Sequence, residues 1–320
     1  MLRYYQHFGL QRDPFLDTAD PHFYCELPAV RRNAARIIGS IEGSCGLTVV
    51  IGAPGTGKTS LSASVEQALL NNEHIVIGKI LDPTFASDVE FLLAIGRVFG
   101  LALPPRSPAA LKNALKNFFF DTAVLEEKTL LLVVDEAQNL NDDGLETLRM
   151  LLNFQIPARK LLNVVLYGQS ELEQHIYARE NLHDRVDAYV RLDALDAAAA
   201  AALLEHRLVR GGKTPTVRIF ASDALQLTIA AGDGLPRRLT TIARGAMTEA
   251  AERSAEIVGI DHVVAALRGR GLPVPSLPQP APEDARDLRA ETSPVASTAP
   301  ATPAAAPRVP FFQRLFARRA

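Results

Sequence analysis

The stretch Gly52-Ala53-Pro54-Gly55-Thr56-Gly57-Lys58-Thr59 constrains this chain more than any other. It fits the phosphate-binding pattern G-x-x-x-x-G-K-[ST] at every fixed position. Leu47-Thr48-Val49-Val50-Ile51 ahead of it reads as a short buried strand, and Ser60 to Leu70 behind it as a helix. Glycines let the backbone fold tightly enough for successive N–H groups to face phosphate oxygens. The helix N-terminus adds a partial positive charge. In this pattern Lys58 reaches the β- and γ-phosphates and Thr59 offers its hydroxyl to Mg²⁺. Gly52 through Thr59, with Ser60, are the candidate nucleotide-binding residues. An ordinary glycine-rich turn would not need strand, loop, Lys-Thr and helix in this order. In the empty loop Lys58 is expected to face the surface, so that its loss would spare the fold.

The rest of the chain alternates in the way such a loop requires. Strands are expected at 47–51, 74–81, 130–135, 161–167 and 188–192. Helices are expected at 29–43, 58–71, 87–99, 108–127, 143–154 and 170–178. Such alternation implies a mostly parallel sheet with helices on both faces. After Leu192 only helical stretches are read, at 197–210, 221–231, 236–253 and 259–268, which suggests a small helical domain. From Gly271 the composition turns to Pro, Ala, Ser and Thr: ten of the 21 prolines lie between Pro273 and Pro310. Such a segment buries too little apolar surface to offset chain entropy and is expected to be a disordered tail. At its end, Phe311, Phe312, Leu315 and Phe316 would share one face of a short helix, with Arg314, Arg318 and Arg319 away from it. The expected boundaries are 1–28 (aromatic, turn-rich), 29–193 (α/β), 194–270 (helical lid), 271–309 (linker) and 310–320 (amphipathic basic tip).

Charge and cysteine content narrow the setting. A formal net charge of -2 gives no global field for nucleic acid or anionic lipid. Cys25 and Cys45 have neither metal spacing nor the density of a disulfide scaffold, as expected for free thiols in a reducing cytoplasm. Met1 to Leu10 lacks a signal-peptide pattern, and no run approaches the roughly 18 apolar residues of a spanning helix. A cytoplasmic location is expected, with contact at the inner membrane open to the tip.

Three further signals bear on chemistry. Asp135-Glu136 ends the apolar run Leu130-Leu131-Leu132-Val133-Val134. A carboxylate at the carboxyl end of a central parallel strand sits beside the phosphate loop. Asp135 is placed to hold Mg²⁺, directly or through water, and Glu136 to orient and deprotonate an attacking water. Gln169, after Tyr167-Gly168, either touches the γ-phosphate or lytic water, or simply caps the helix beginning near Ser170. Arg185 and Arg237 are either cations that neutralise charge on a transferring phosphoryl group or solvated surface charges.

With these residues assembled, the chain resembles the AAA+ ATPases of the general secretion pathway protein A family, with relatives in mannose-sensitive haemagglutinin pilus and exopolysaccharide export systems. Tyr4-Tyr5-Gln6-His7-Phe8-Gly9-Leu10, Pro14-Phe15 and Asp20-Pro21-His22-Phe23-Tyr24 are similar to that family's opening. Asp135-Glu136-Ala137-Gln138-Asn139-Leu140 resembles its second ATPase motif. Gly168-Gln169-Ser170-Glu171-Leu172 is similar to its first sensor, where Pro usually replaces Ser170. His206-Arg207-Leu208 and Gly234-Leu235-Pro236-Arg237 resemble its lid motifs. The resemblance runs over roughly residues 1 to 270.

It implies an α/β P-loop NTPase of the AAA+ class, with a parallel five-stranded sheet in order 5-1-4-3-2 and a small helical lid. It also implies ATP and Mg²⁺ as ligands, ATP hydrolysis, and a homo-oligomer, most often a ring. It makes Gln169 a sensor, Arg237 a lid arginine on the γ-phosphate, and Arg185 the best candidate for an arginine supplied to the next subunit, with Arg179 and Arg191 nearby. The aromatic N-terminal segment is expected near the adenine edge. The implied partner is a membrane-associated secretion, pilus or export assembly. Full-length secretion relatives continue into a membrane span and a peptidoglycan-binding domain that are not read here, so their cell-wall role is not carried over. The family shades into ATPases that regulate DNA transposition. An ATP-gated DNA-binding regulator is therefore the alternative, with Arg31-Arg32, Arg237-Arg238 and Arg268-Arg270 as its scattered basic pieces.

Overall fold

The computed structural model describes residues 3–276 apart from 17, 19, 104–106, 158 and 215. The linker beyond Ser276 and the tip 310–320 lie outside the described residues.

Five strands form one parallel sheet: β1 (Leu47–Gly52), β2 (Ile75–Ile80), β3 (Thr129–Val134), β4 (Asn163–Gly168) and β5 (Val186–Leu192). Their order is β2-β3-β4-β1-β5, which is the expected 5-1-4-3-2 read from the other edge. The register runs Leu47↔Val164 to Ile51↔Gly168 between β1 and β4, and Leu131↔Asn163 to Val134↔Leu166 between β3 and β4. Every residue of β1 and β4 is buried, as a strand covered on both faces requires. A separate two-residue antiparallel ladder, Gln155–Ile156 with Arg159–Lys160, was not expected from the sequence.

Helices cover the sheet. The first, α1 (Pro28–Glu42), opens on Pro28, whose fixed φ suits the first turn, and buries Ile37, Ile38 and Ile41 while its arginines face outward. It is followed by α2 (Lys58–Leu69), α3 (Asp88–Val98), α4 (Pro108–Phe120), α5 (Asp142–Leu151), α6 (Ser170–Tyr177) and the single turn α7 (Glu180–His183). Ser87, Ser107 and Asn141 accept backbone N–H groups at the starts of α3, α4 and α5, satisfying donors that have no partner within the helix. The helix expected over 108–127 is α4 followed by a wider π turn at Asp121–Leu125.

After β5 come four lid helices: α8 (Ala197–Arg210), α9 (Ser222–Gly232), α10 (Pro236–Glu252) and α11 (Ile260–Gly269). Their core is Leu227, Leu239, Ile242, Met247 and Leu267, each 0–1% exposed. One isolated bridge, Phe220 to Val258, is the extended pairing found here among the described residues. No helix of the described residues is long and apolar enough to cross a membrane.

The N-terminal segment does not hang free. It runs along the lid, with Gln11 N donating to Gly211 O at 2.8 Å and His7 Nε2 bonded to Ala255 O at 2.9 Å. His22 and Arg210 clasp three times: Arg210 Nε donates to His22 O at 2.8 Å, a terminal guanidinium nitrogen of Arg210 bonds His22 Nδ1 at 3.2 Å, and His22 Nε2 bonds Arg210 O at 3.0 Å.

The turn between α9 and α10 joins the lid to the strand layer. Gly234 has φ +67°, and its carbonyl accepts from Leu195 N at 2.8 Å. A Cβ at Gly234 would sit 2.3 Å from the Leu195 carbonyl oxygen, a backbone atom that cannot swing aside. Gly234→Ala is therefore expected to cost about 2 kcal/mol or more, from left-handed strain and displacement of the lid entry. Urea unfolding of the purified chain measures it, and an unchanged midpoint contradicts it.

Candidate active site

All five strands end their carboxyl termini on one edge, and the candidate residues leave from there. The loop 52–57 follows β1. Gly55 and Gly57 take φ +83° and +98°, where a side chain is strained. A Cβ on Gly52 would meet Thr56 Oγ1 at 2.5 Å, so that position is glycine for space. Thr56 Oγ1 donates to Ala53 O at 2.8 Å and closes the loop. Gly57 leads directly into α2, whose first two residues are Lys58 and Thr59.

Lys58 corrects an expectation. It is 6% exposed rather than surface-facing. Its Nζ donates to Gly52 O at 2.8 Å and Ala53 O at 3.2 Å, so it closes the loop on itself. Burial pushes its pKa below the usual lysine value, and the nearby Glu136 and Asp135 carboxylates oppose that fall.

Strand β3 ends at Val134, and Asp135 N donates to Ile80 O at 2.8 Å, so the sheet holds this carboxylate in place. Asp135 is 5% exposed. Thr59 Oγ1 lies 3.4 Å from Asp135 Oδ2, which brings together the two groups chosen as metal ligands from positions 76 residues apart. One carboxylate and one hydroxyl, beside the glycine-rich loop, is an oxygen set that suits a magnesium ion sharing its shell with phosphate and water. Thr59 and Asp135 fit that ion and would hold it.

Burial pushes the Asp135 pKa up, with the Glu136 charge adding to the rise and the Glu136 N–H, Lys79 and Lys58 opposing it. The folded value thus lies above the unfolded one. Stability from this group is complete below the ordinary carboxylate pKa and is lost as pH rises through the folded pKa. Asp135→Asn keeps the shape without the buried charge. It is expected to raise the melting temperature of the nucleotide-free protein at neutral pH, with a gain that shrinks toward pH 4. Melting curves from about pH 4 to 8 test this, and a lower melting temperature for the variant at neutral pH contradicts it.

Glu136 follows in a left-handed conformation, φ +49°, and opens a short 3-10 turn over Ala137–Asn139. It lines the same cavity as the phosphate loop. Gln169 stands at the N-cap position of α6, yet its side chain makes no capping bond. Instead, Gln169 Nε2 approaches Glu136 Oε2 at 3.5 Å. Arg237, at the start of α10, lines the cavity from the lid side, and its backbone N–H donates to Gly55 O at 3.2 Å.

Arg185 is not in this cavity; it follows α7, on the route to β5. Its Nε is buried with no hydrogen-bond partner among the described residues, whereas neighbouring Arg179 and Arg191 are ion-paired with Asp142 and Glu173.

The cavity holds about 280 Å³, and besides the loop its lining includes the apolar side chains of Leu16, Phe23, Leu27, Val30, Leu192 and Leu203. The N-terminal segment, α1, β5 and α8 all contribute to this wall. Two lining or supporting residues carried no role from sequence. Arg207 lines the cavity and sits over the Phe23 ring, 5.5 Å from its centroid. Gln138 bonds Glu136. Their only signal was membership of short motifs.

Residues 41–176 match the AAA domain family. Over 276 residues, the sequence is 31% identical to general secretion pathway protein A of Aeromonas hydrophila, covering 84% of this chain and 49% of that protein. The chain thus spans about half the length of this curated relative. Cdc6p of Pyrobaculum aerophilum matches in structure with a TM-score of 0.65 at 17% identity, over 81% of this chain and 71% of that one. The ORC2 protein of Aeropyrum pernix, solved as ADPNP–ADP complexes, gives 0.60 at 17% identity over 80% and 71%. At such identities the structural likeness speaks for the fold alone. Residues 41–176 thus match an AAA domain, and the chain is similar in sequence to general secretion pathway protein A.

Proposed function

We propose that this chain binds ATP with Mg²⁺ between an α/β domain spanning 29–193 and a helical lid spanning 194–270, and hydrolyses it. The observation that carries the reading is the convergence of Lys58, Thr59, Asp135 and Glu136 at one strand edge, with Thr59 and Asp135 3.4 Å apart. Backbone N–H groups of residues 53–59 and the N-terminus of α2 would cradle the phosphates. Lys58 would exchange its two loop carbonyls for β- and γ-oxygens. The apolar side chains of the cavity wall would take the base, and Arg237 would reach the γ-phosphate from the lid. Mg²⁺, when bound, supplies charge neutralisation on the β- and γ-oxygens. Glu136 would take a proton from the attacking water as its oxygen bonds the γ-phosphorus and the bond to the β-bridging oxygen breaks, leaving ADP and phosphate. ATP turnover by the wild-type chain, measured with Mg²⁺ and again with excess chelator, tests this. Absence of Mg²⁺-dependent phosphate release overturns it.

The proposed setting is an oligomer, a ring by analogy, that couples turnover to a membrane-associated secretion, pilus or export assembly. The similarity to a general secretion pathway protein, across 49% of that relative's length, supports that pathway class. Arg185 is the residue proposed to act across the subunit boundary, supported by its unpartnered Nε beside two arginines already in ion pairs. Arg185→Ala is expected to lower turnover by about a hundredfold or more with ATP affinity kept. Mixing it with Glu136→Gln subunits should restore part of the activity, because some interfaces then hold both intact groups. No recovery in the mixture contradicts the assignment. The DNA-binding alternative gains no support from its basic pieces: these sit on α1, at the start of α10 and at the end of α11, and Arg238 is paired with Asp233.

A further inference from the structure

Glu136 is gripped by a side chain that the mechanism above does not use. Gln138 Nε2 donates to Glu136 Oε2 at 2.6 Å, and Gln138 Oε1 accepts from the Gln169 backbone N–H at 3.2 Å. These two contacts fix the direction of the amide. Turned over, its oxygen would face a carboxylate and its NH₂ group would face an N–H. Gln169 Nε2 comes to the same Glu136 oxygen at 3.5 Å. Three residues from two strand ends therefore share one small hydrogen-bonded ring.

The backbone is arranged to allow it. Glu136 takes the left-handed conformation, which is costly for a side chain with a Cβ. The 3-10 turn at Ala137–Asn139 then brings Gln138 back toward the end of β4. Gly168 leaves room there: a Cβ on it would come 3.2 Å from Gln138 Oε1 and 2.5 Å from Leu172 Cδ2.

Resting on the reading of Glu136 as the group that takes the water's proton, we propose that Gln138 is a positioning residue that aims this carboxylate and couples it to Gln169. Both amides go to Oε2, which directs proton uptake to Oε1. Any shift of Gln169 on meeting a γ-phosphate passes through the Gln138 carboxamide to Glu136, because the same amide holds both. The role is one of orientation, so it affects the chemical step and leaves the phosphate loop and the base pocket untouched.

The test compares the full chain with Gln138→Met, Gln138→Glu and Glu136→Gln, by steady-state ATP turnover with Mg²⁺ and by binding of a fluorescent ATP analogue. Gln138→Met keeps the bulk of the side chain and removes both polar contacts. Its kcat should fall about tenfold or more, with KM for ATP within about twofold of wild type. Gln138→Glu keeps the length of the side chain, removes the donor to Glu136 and sets a second carboxylate against it. Its kcat should fall about tenfold or more as well, with KM for ATP within about twofold of wild type. Wild-type kcat in either variant overturns the inference. The Glu136→Gln control separates the two readings. If it is inactive while Gln138→Met is normal, only the positioning role fails; if it turns over ATP like wild type, the assignment of Glu136 itself fails.

Discussion

Glu136→Gln yields a protein that binds ATP and does not turn it over. The substitution keeps the volume and the acceptor that faces Gln138, and removes the one group placed to take a proton from water at this strand end. General-base removal of this kind costs about 10²–10⁴ in rate, so phosphate release should fall by at least about a hundredfold. Affinity should persist, because the cradle is formed by main-chain groups of the loop, by Lys58 and by Thr59, none of which changes. Malachite-green turnover and equilibrium binding on the same preparation check the two halves of this expectation. Turnover equal to wild type sinks the assignment.

Lys58→Ala should lose ATP and also soften the fold. Its first effect is on binding: the ammonium that meets the β- and γ-phosphates is gone. Wild-type protein in ATP at about a hundred times its dissociation constant gains about 2.7 kcal/mol of stability by mass action, and the variant should gain none. The second effect follows from the loop's closed state. Gly52 O loses its 2.8 Å donor, whereas Ala53 O keeps the Thr56 hydroxyl. The buried Asp135 and half-buried Glu136 carboxylates lose a nearby cation. Relief of the desolvated ammonium offsets part of this, so the net cost in the nucleotide-free protein is about 1–2 kcal/mol. Paired melting curves with and without Mg²⁺ and ATP read both effects. An ATP-induced shift in the variant equal to that of wild type contradicts the binding role, and an unchanged nucleotide-free midpoint contradicts the structural one.

The strand layer was legible because its chemistry is local. Leu130 to Val134 is apolar on both faces, as a central parallel strand must be, and Asp135 is the first polar side chain past the sheet edge. The phosphate loop was legible because glycine is demanded at set positions, two of them by positive φ. Given the strand order, Thr59 and Asp135 had to meet. What stayed hidden depends on contacts far apart in sequence or on local geometry without a periodic signal. The His22–Arg210 clasp joins positions 188 apart. The role of Gln138 arises from a left-handed residue followed by a tight turn, which redirects a side chain only two positions after Glu136. The burial of Lys58 was missed because the motif describes the lysine with phosphate present, and the empty loop satisfies it with its own carbonyls. Gln169 had two readings in sequence; its side chain makes no capping bond to its own helix and lies beside Glu136 instead.

The central claim is that one cradle at the end of β1 holds a triphosphate together with a metal gripped by Thr59 and Asp135. Calorimetric titration of ATP into the purified chain, with Mg²⁺ and again with excess chelator, tests it most directly. The account predicts one saturable site per chain that tightens with Mg²⁺ and disappears in Lys58→Ala. No heat of binding with Mg²⁺ present, or equal binding by wild type and Lys58→Ala, contradicts it.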